Sequence, residues 1–344
     1  MVIKISSISK LNLIKSGSSN LYPFEEKNKS ISTSWLKRNG ILQYMNTPQD
    51  KAPDRAVQKK IRPIRGIIID AIRETPDTWT LDIFVGENDK DYRAGQFISI
   101  SPHQFVELGD LIKYFEHIKG KKELVRAYSL TSAPGDKYIS ITIKPEIYTP
   151  EPLALPPLLS PFLASDLLVG REIEFIGYAG AYVMPEDLRT HTDHVVHIVA
   201  GSGSVPSLSI IKDELIYQKS SIKHTLVFVN KSHDDIIFHA QLKKLCAQFP
   251  EQLQVDYFLS QEPEAKSLGT NYYPGRPNIA HIEKIIGDVN KTIIFACGPA
   301  ITKWQKKQAA LNNSELKPRF MEWVHEVVTK IGIDKKRYKR EIYG

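Results

Sequence analysis

The sequence predicts a two-domain protein, an antiparallel β-barrel followed by an α/β domain on a parallel sheet, and three observations predict it. From Arg62 to Ile176, short β-branched and aromatic runs are separated by turn signals and by no long helical pattern. From His194 to Ile331 such runs alternate with helical patterns, the rhythm of a parallel sheet covered on both faces. The 344 residues are also enough for two separate cores.

In chain order, residues 1–60 read as an arm, rich in Ser, Asn and Lys, with one helical pattern from Ser34 to Met45 and a Pro-containing linker from Thr47 to Pro53. Residues 61–188 form the barrel, with strands expected at Arg65–Arg73, Thr78–Val85, Gln96–Ser101, Arg126–Thr131, Tyr138–Lys144 and Arg171–Ile176. A loop from His103 to Glu123 interrupts them. Residues 189–344 form the α/β domain. Its strands are expected at His194–Ala200, His224–Asn230, Gln252–Leu259 and Lys291–Ala296. Its helices are expected at Pro206–Gln218, Ile236–Gln248, Ile279–Ile286, Ala300–Leu311 and Arg319–Ile331.

Composition excludes several classes. The longest apolar runs, Val195–Ala200 and Ile293–Ala296, fall far short of the ~20 residues of a membrane helix, and the expectation is a cytoplasmic, monomeric protein. Cys246 and Cys297 are the only cysteines, too few for a disulfide framework or for the four thiolates of an iron–sulfur cluster. The histidines show no ligand spacing, so no metal is expected. The net charge of +7 is spread along the chain and not gathered on a nucleic-acid-binding motif, which points to an acidic protein partner. Its densest run, Lys335–Arg340, reads either as a solvated face or as part of a docking surface.

Four motifs carry chemistry. In Arg126-Ala127-Tyr128-Ser129, strand alternation puts Arg126 and Tyr128 on one face and Ser129 on the other. A flat ring can lie on the tyrosine, and the guanidinium can hold a diphosphate. The same pattern also suits an ordinary barrel strand. Gly201-Ser202-Gly203-Ser204-Val205-Pro206 follows an apolar strand and opens a helix, the context of a dinucleotide-binding turn, and also that of a simple helix-capping turn. The strand after it runs into Asn230-Lys231-Ser232, where Lys231 and Ser232 are placed to face a ribose phosphate if one binds, and no acidic residue ends the strand. Cys297-Gly298-Pro299 ends a parallel strand and turns toward a helix N-terminus, unless Cys297 is a buried structural thiol. The fourth motif is the terminal Glu341-Ile342-Tyr343. Upstream, Ser160 reads as a helix N-cap with Pro161 at the first helical position.

Together these motifs resemble the ferredoxin–NADP reductase family over about Arg62 to Gly344. The resemblance implies a flavin site in which Arg126 meets the FAD pyrophosphate, Tyr128 the isoalloxazine and Ser129 its N5. Ile143 and Lys144 match the strand lining the cofactor. Leu158-Leu159-Ser160 falls where the family has Gly-x-x-Ser, with leucine in place of glycine. Gly201, Gly203, Ser204 and Pro206, with Gly298 and Pro299, match the nucleotide-binding turns for NADPH or NADH, with a slight lean to NADPH. Ser129, Cys297, Glu341 and Tyr343 are the implied catalytic set, with Tyr343 covering the flavin. The implied activity is FAD-dependent transfer of electrons from NAD(P)H to a ferredoxin or to an oxygenase or desaturase component. A flavin reductase, a quinone-type diaphorase and a non-catalytic flavoprotein-fold module are the alternatives.

Overall fold

The computed structural model describes residues 63–146 and 155–343. The chain divides after Val57 into two units, and every described residue belongs to the second. The expected arm of residues 1–60, with its Ser34–Met45 helix and Thr47–Pro53 linker, lies outside the described residues.

The first sheet is antiparallel and holds β1 (Pro63–Thr75), β2 (Thr78–Phe84), β3 (Phe97–Ile100), β4 (Arg126–Ser129), β5 (Ile139–Ile143) and β6 (Glu172–Ala179). Its spatial order is β4-β3-β6-β1-β2-β5. A bridge from Leu130 to Ile141 brings the two outer strands together and closes the barrel. Strand alternation turns Ile68, Leu81, Ile83, Ile98, Ile141 and Phe175 into one core. Each such side chain contributes about 1.5–3 kcal/mol by burial.

Two barrel segments differ from expectation. The interval His103–Glu123 is not a loop: two 3₁₀ turns lead into helix α1 (Gly109–Lys119), which ends at Gly120 in the left-handed region with φ 62°. Leu108, Ile112 and Phe115 recur at helical spacing and are buried against the barrel, and that burial forms the helix. Helix α2 (Leu159–Leu163) starts after Leu158, which makes no side-chain cap, so Ser160 lies inside the helix and is not its N-cap. Leu159 and Leu163, one turn apart and both buried, set that register.

The second sheet is parallel: β7 (His194–Ala200), β8 (Lys223–Asn230), β9 (Leu253–Leu259), β10 (Tyr272–Pro274), β11 (Thr292–Pro299) and β12 (Tyr338–Tyr343), in the order β10-β9-β8-β7-β11-β12. The short helix α3 (Glu186–Arg189) leads into it. Helices α4 (Ser204–Lys212) and α5 (His239–Gln248) cover one face through Val205, Leu208 and Leu242. Helix α6 (Ile279–Ile286) and, after α7 (Lys303–Leu311), helix α8 (Phe320–Ile331) cover the other through Ile282, Phe320 and Val324.

Here too the bounds shift for physical reasons. The helix expected to reach Gln218 is α-helical only to Lys212 and continues as a π-helical turn, Asp213–Tyr217. Helix α5 begins at His239 because Phe238 takes φ 61° and breaks the preceding turn. Strand β11 runs past Ala296 to Pro299 because β12 pairs with it over that length. The helix after it starts only at Lys303, behind a capping box formed by Thr302 and Gln305. Cys297 therefore lies within a strand, not at a helix N-terminus. Strands β10 and β12 were not expected, the first for its three residues, the second for its charged composition.

Candidate active site

The chain moves outward from β7 through β8, β9 and β10, then returns to the other side of β7 with β11 and β12. Such a reversal opens a crevice beyond the carboxyl ends of the strands at the switch point. The turn after β7 and the end of β11 meet there, with Cys297 in register with Val199. The two glycines of the turn answer different needs. Gly201 has φ 52°, and a Cβ there would meet nothing within 4 Å, so the backbone faces open space. A Cβ on Gly203 would lie 2.2 Å from the Cys297 carbonyl oxygen. Gly203 thus permits close packing of the turn on β11, not approach of a ligand. The Ser204 hydroxyl closes the turn by donating to the Gly201 carbonyl at 2.9 Å, and Ser204 and Pro206 are both buried in the first turn of α4.

Strand β12 sets Glu341 opposite Cys297 and Tyr343 opposite Pro299. From the barrel, the Ser129 hydroxyl donates to the Glu341 carboxylate at 3.1 Å. Residues far apart in the chain, Ser129, Cys297, Glu341 and Tyr343, are thereby gathered at one place. Beside them Gly298 packs closely, since a Cβ there would lie 2.6 Å from the Phe320 ring. Burial raises Glu341 to about 7, against the opposing hydrogen bond from Ser129. Burial, then the neighbouring Glu341 charge, push the Cys297 thiol well above its ordinary range, so it is a neutral thiol and not an activated thiolate. The Tyr343 phenol is raised for the same reasons, burial first. One group at this centre, the Glu341 carboxyl, changes charge near neutral pH.

On β4, Arg126 is exposed and Tyr128 half-buried against the barrel core. The Arg126 guanidinium donates to the Leu124 carbonyl at 3.2 Å and to Glu123 at 3.3 Å. The Ile143 side chain is in the barrel core. The Lys144 ammonium pairs with Asp77 at 2.8 Å and reaches Asp235 of the second lobe at 3.5 Å. Leu159 is buried and Leu158 packs on the same core, so these leucines serve packing.

At the end of β8, Asn230 is buried, with both amide atoms lacking a hydrogen-bond partner among the described residues. Lys231 is exposed. The Ser232 hydroxyl donates to Asp235 at 2.9 Å, and the His233 amide to Glu262 at 2.7 Å. The expectation that no acidic residue stands here is overturned: Asp235 lies against Ser232, and the Asp234 side chain beside it is exposed. The sequence reading missed Asn230 and Asp235 as site residues. The available signal was a polar residue closing the apolar run Leu226–Val229.

Residues 198–306, which hold the glycine turn and Cys297, match the family model of the oxidoreductase NAD-binding domain. Over 280 residues the chain is 24% identical to the ferredoxin reductase component of 3-ketosteroid-9-alpha-monooxygenase from Rhodococcus rhodochrous, covering 79% of this chain and 63% of that one. The fold matches the flavohem-like FAD/NAD-binding domain of nitric oxide dioxygenase from Vibrio cholerae, with a TM-score of 0.58 and 20% identity over 82% of this chain and 98% of that one. It also matches the ferredoxin-NADP+ reductase of Plasmodium falciparum, with a TM-score of 0.55 and 18% identity over 82% and 96%. The chain shares the fold of these FAD/NAD-binding reductases, and its residues 198–306 match an oxidoreductase NAD-binding domain. The chain is also similar to NADH-cytochrome b5 reductase 1 of Cryptococcus neoformans, 27% identical over 48% of this chain and 52% of that one. The chain thus spans less than two thirds of the length of these curated relatives.

The residues present fit a flavin and a nicotinamide dinucleotide. Gly201 faces open space, and Asn230 holds two buried amide atoms with no hydrogen-bond partner among the described residues. Tyr128 presents a half-buried ring beside the exposed Arg126 guanidinium.

Proposed function

We infer that this protein transfers electrons from a reduced nicotinamide dinucleotide, by way of bound FAD, to a separate acceptor protein. The observation that carries the reading is the convergence of Ser129 from the barrel with Cys297 and Glu341 from the parallel sheet, beside an open glycine turn. When bound, FAD supplies the hydride and one-electron chemistry that side chains lack.

The chain's own residues bind, orient and exclude water. Residues 61–188 hold the flavin and residues 189–344 the dinucleotide. Arg126 would hold the FAD pyrophosphate, Tyr128 would lie against its ring, and the backbone at Ile143 and Lys144 would line it. Gly201, Gly203, Ser204 and Pro206 shape the dinucleotide turn, and Gly298 and Pro299 shape the floor of the crevice. Tyr343, packed beside Cys297, would cover the flavin face and yield it to a nicotinamide. Cys297 supplies a neutral, buried contact at that position, and Glu341, held by Ser129, sets a protonation state next to it.

NADH is the better fit for the turn after β8. The carboxylates of Asp234 and Asp235 repel a 2′-phosphate, and Asp235 with Ser232 suits a ribose hydroxyl, although Lys231 is near. The net charge of +7 favours an acidic acceptor, and two relatives bear the names ferredoxin reductase component and cytochrome b5 reductase. Among the described residues no helix is long and apolar enough to cross a membrane. The purified protein is expected to be yellow with non-covalent FAD and to bleach on anaerobic addition of NADH, more readily than with NADPH. Acid release of FMN, or a colourless protein that refuses FAD, overturns the reading. A preference for NADPH overturns the nucleotide assignment alone.

A further inference from the structure

Helix α1 carries more apolar surface than the barrel covers. Leu108, Ile112 and Phe115 are buried, yet Leu111, Tyr114 and Ile118 form an adjacent stripe at i, i+3, i+7 and are 50%, 58% and 49% exposed. Leu124 and Val125 extend the patch toward β4, at 62% and 47% exposed. An ordinary surface helix has one apolar stripe, so a second, contiguous one marks a contact surface. Its rim is basic, with Lys113, Lys121 and Lys122 exposed. The acidic groups nearby are turned inward: Glu123 is buried and accepts from Lys119 and Arg126, and Glu116 accepts the Glu123 amide at 2.8 Å and pairs with His103. Asp110 faces solvent beside Lys113, and Glu107, also exposed, is paired with Arg171 at 2.6 Å.

The patch is also continuous with the candidate active site. Glu123 ties the end of α1 to Arg126, the first residue of the strand that carries Tyr128 and Ser129. We propose that the outer face of α1, Leu111, Tyr114, Ile118, Lys121 and Lys122, is the docking surface for a small acidic electron-transfer protein. It rests on the reading of the chain as an electron-transferring reductase. An apolar centre with a basic rim matches a partner that presents carboxylates around an apolar patch, and a site beside β4 keeps the electron path short. A membrane surface suits it less, because the exposed stripe is three residues of one short helix whose remaining apolar side chains are committed to the barrel.

The test uses the full chain loaded with FAD and, as probe, an oxidised plant-type ferredoxin, with binding followed by titration at low ionic strength. Leu111→Ser with Ile118→Ser, and separately Lys121→Glu with Lys122→Glu, are each expected to weaken binding about tenfold or more, and only the lysine pair to flatten its salt dependence. NADH-dependent reduction of ferricyanide is expected to stay at the parent level, which shows both variants folded and loaded. Parent-like ferredoxin binding in both variants overturns the proposal. So does a parent protein that ignores ferredoxin but sediments with vesicles of phosphatidylcholine and phosphatidylserine, or that self-associates through this face. If the parent fails to reduce ferricyanide yet loses ferredoxin binding in the variants, the docking surface stands and the reductase reading falls.

Discussion

Two segments lead into helices, Leu158–Ser160 in the barrel and Gly201–Ser204 after β7, and they are built oppositely. The first drives Leu159 into the core and opens a helix of five residues. The second keeps Gly201 at φ 52° with open space before it and opens a nine-residue helix packed along its whole length. A helix start alone does not make a ligand site. What separates the two is backbone free of side chains and facing a crevice, and the glycine turn has it because the sheet reverses direction beside it.

The sharpest way to break this comparison is Leu159→Ala. If the leucine segment serves packing, the loss is a core cavity costing about 2–5 kcal/mol, with flavin affinity unchanged in the protein that remains folded. Denaturant unfolding and a flavin titration read the two separately, and a stable variant that loses FAD would make Leu159 a cofactor contact. Gly203→Ala sharpens the other side. Its Cβ meets backbone, not a movable side chain, so a loss of about 1–3 kcal/mol is expected by the same unfolding measurement, together with slower flavin reduction as Cys297 is displaced.

Glu341, beside the glycine turn, extends the comparison to pH. Burial raises it to about 7, so the folded protein holds this proton more tightly than the unfolded chain, whose value is near 4.5. Its contribution to stability is therefore complete below pH 4.5 and lost as pH rises through about 7. Glu341→Gln is expected to remove that slope, on the order of 2 kcal/mol after allowance for partial exposure, from a plot of Tm against pH. An unchanged slope would assign it to another group. The smallest stability effect belongs to Gly201→Ala. With no neighbour to strike, only the left-handed backbone resists, at about 1 kcal/mol, while KM for the nicotinamide rises because the new methyl enters the crevice. Unchanged KM would place the dinucleotide away from this turn.

Much of the fold was legible because burial patterns are local. The alternation in Thr78–Val85 and Tyr138–Lys144 marked strands, and the helical spacing in Ile279–Ile286 marked that helix to the residue. Helix α1 was hidden because its buried and exposed apolar positions blur any single stripe. Strand β12 was hidden because Tyr338-Lys339-Arg340-Glu341 has no apolar alternation and is held by pairing with β11, more than forty positions earlier in the chain.

The sequence by itself determined the two kinds of sheet, the glycine turn and the candidacy of Ser129, Cys297, Glu341 and Tyr343, since each rests on neighbouring residues and their spacing. Only the tertiary structure decided what these residues are chemically. Cys297 is a neutral thiol and Glu341 a carboxyl titrating near 7 because strand register and lobe contact remove them from water, and Ser232 faces a carboxylate because one turn folds back on itself. Desolvation and through-space charge depend on what lies beside a group in the folded chain, and the linear order of residues does not contain that.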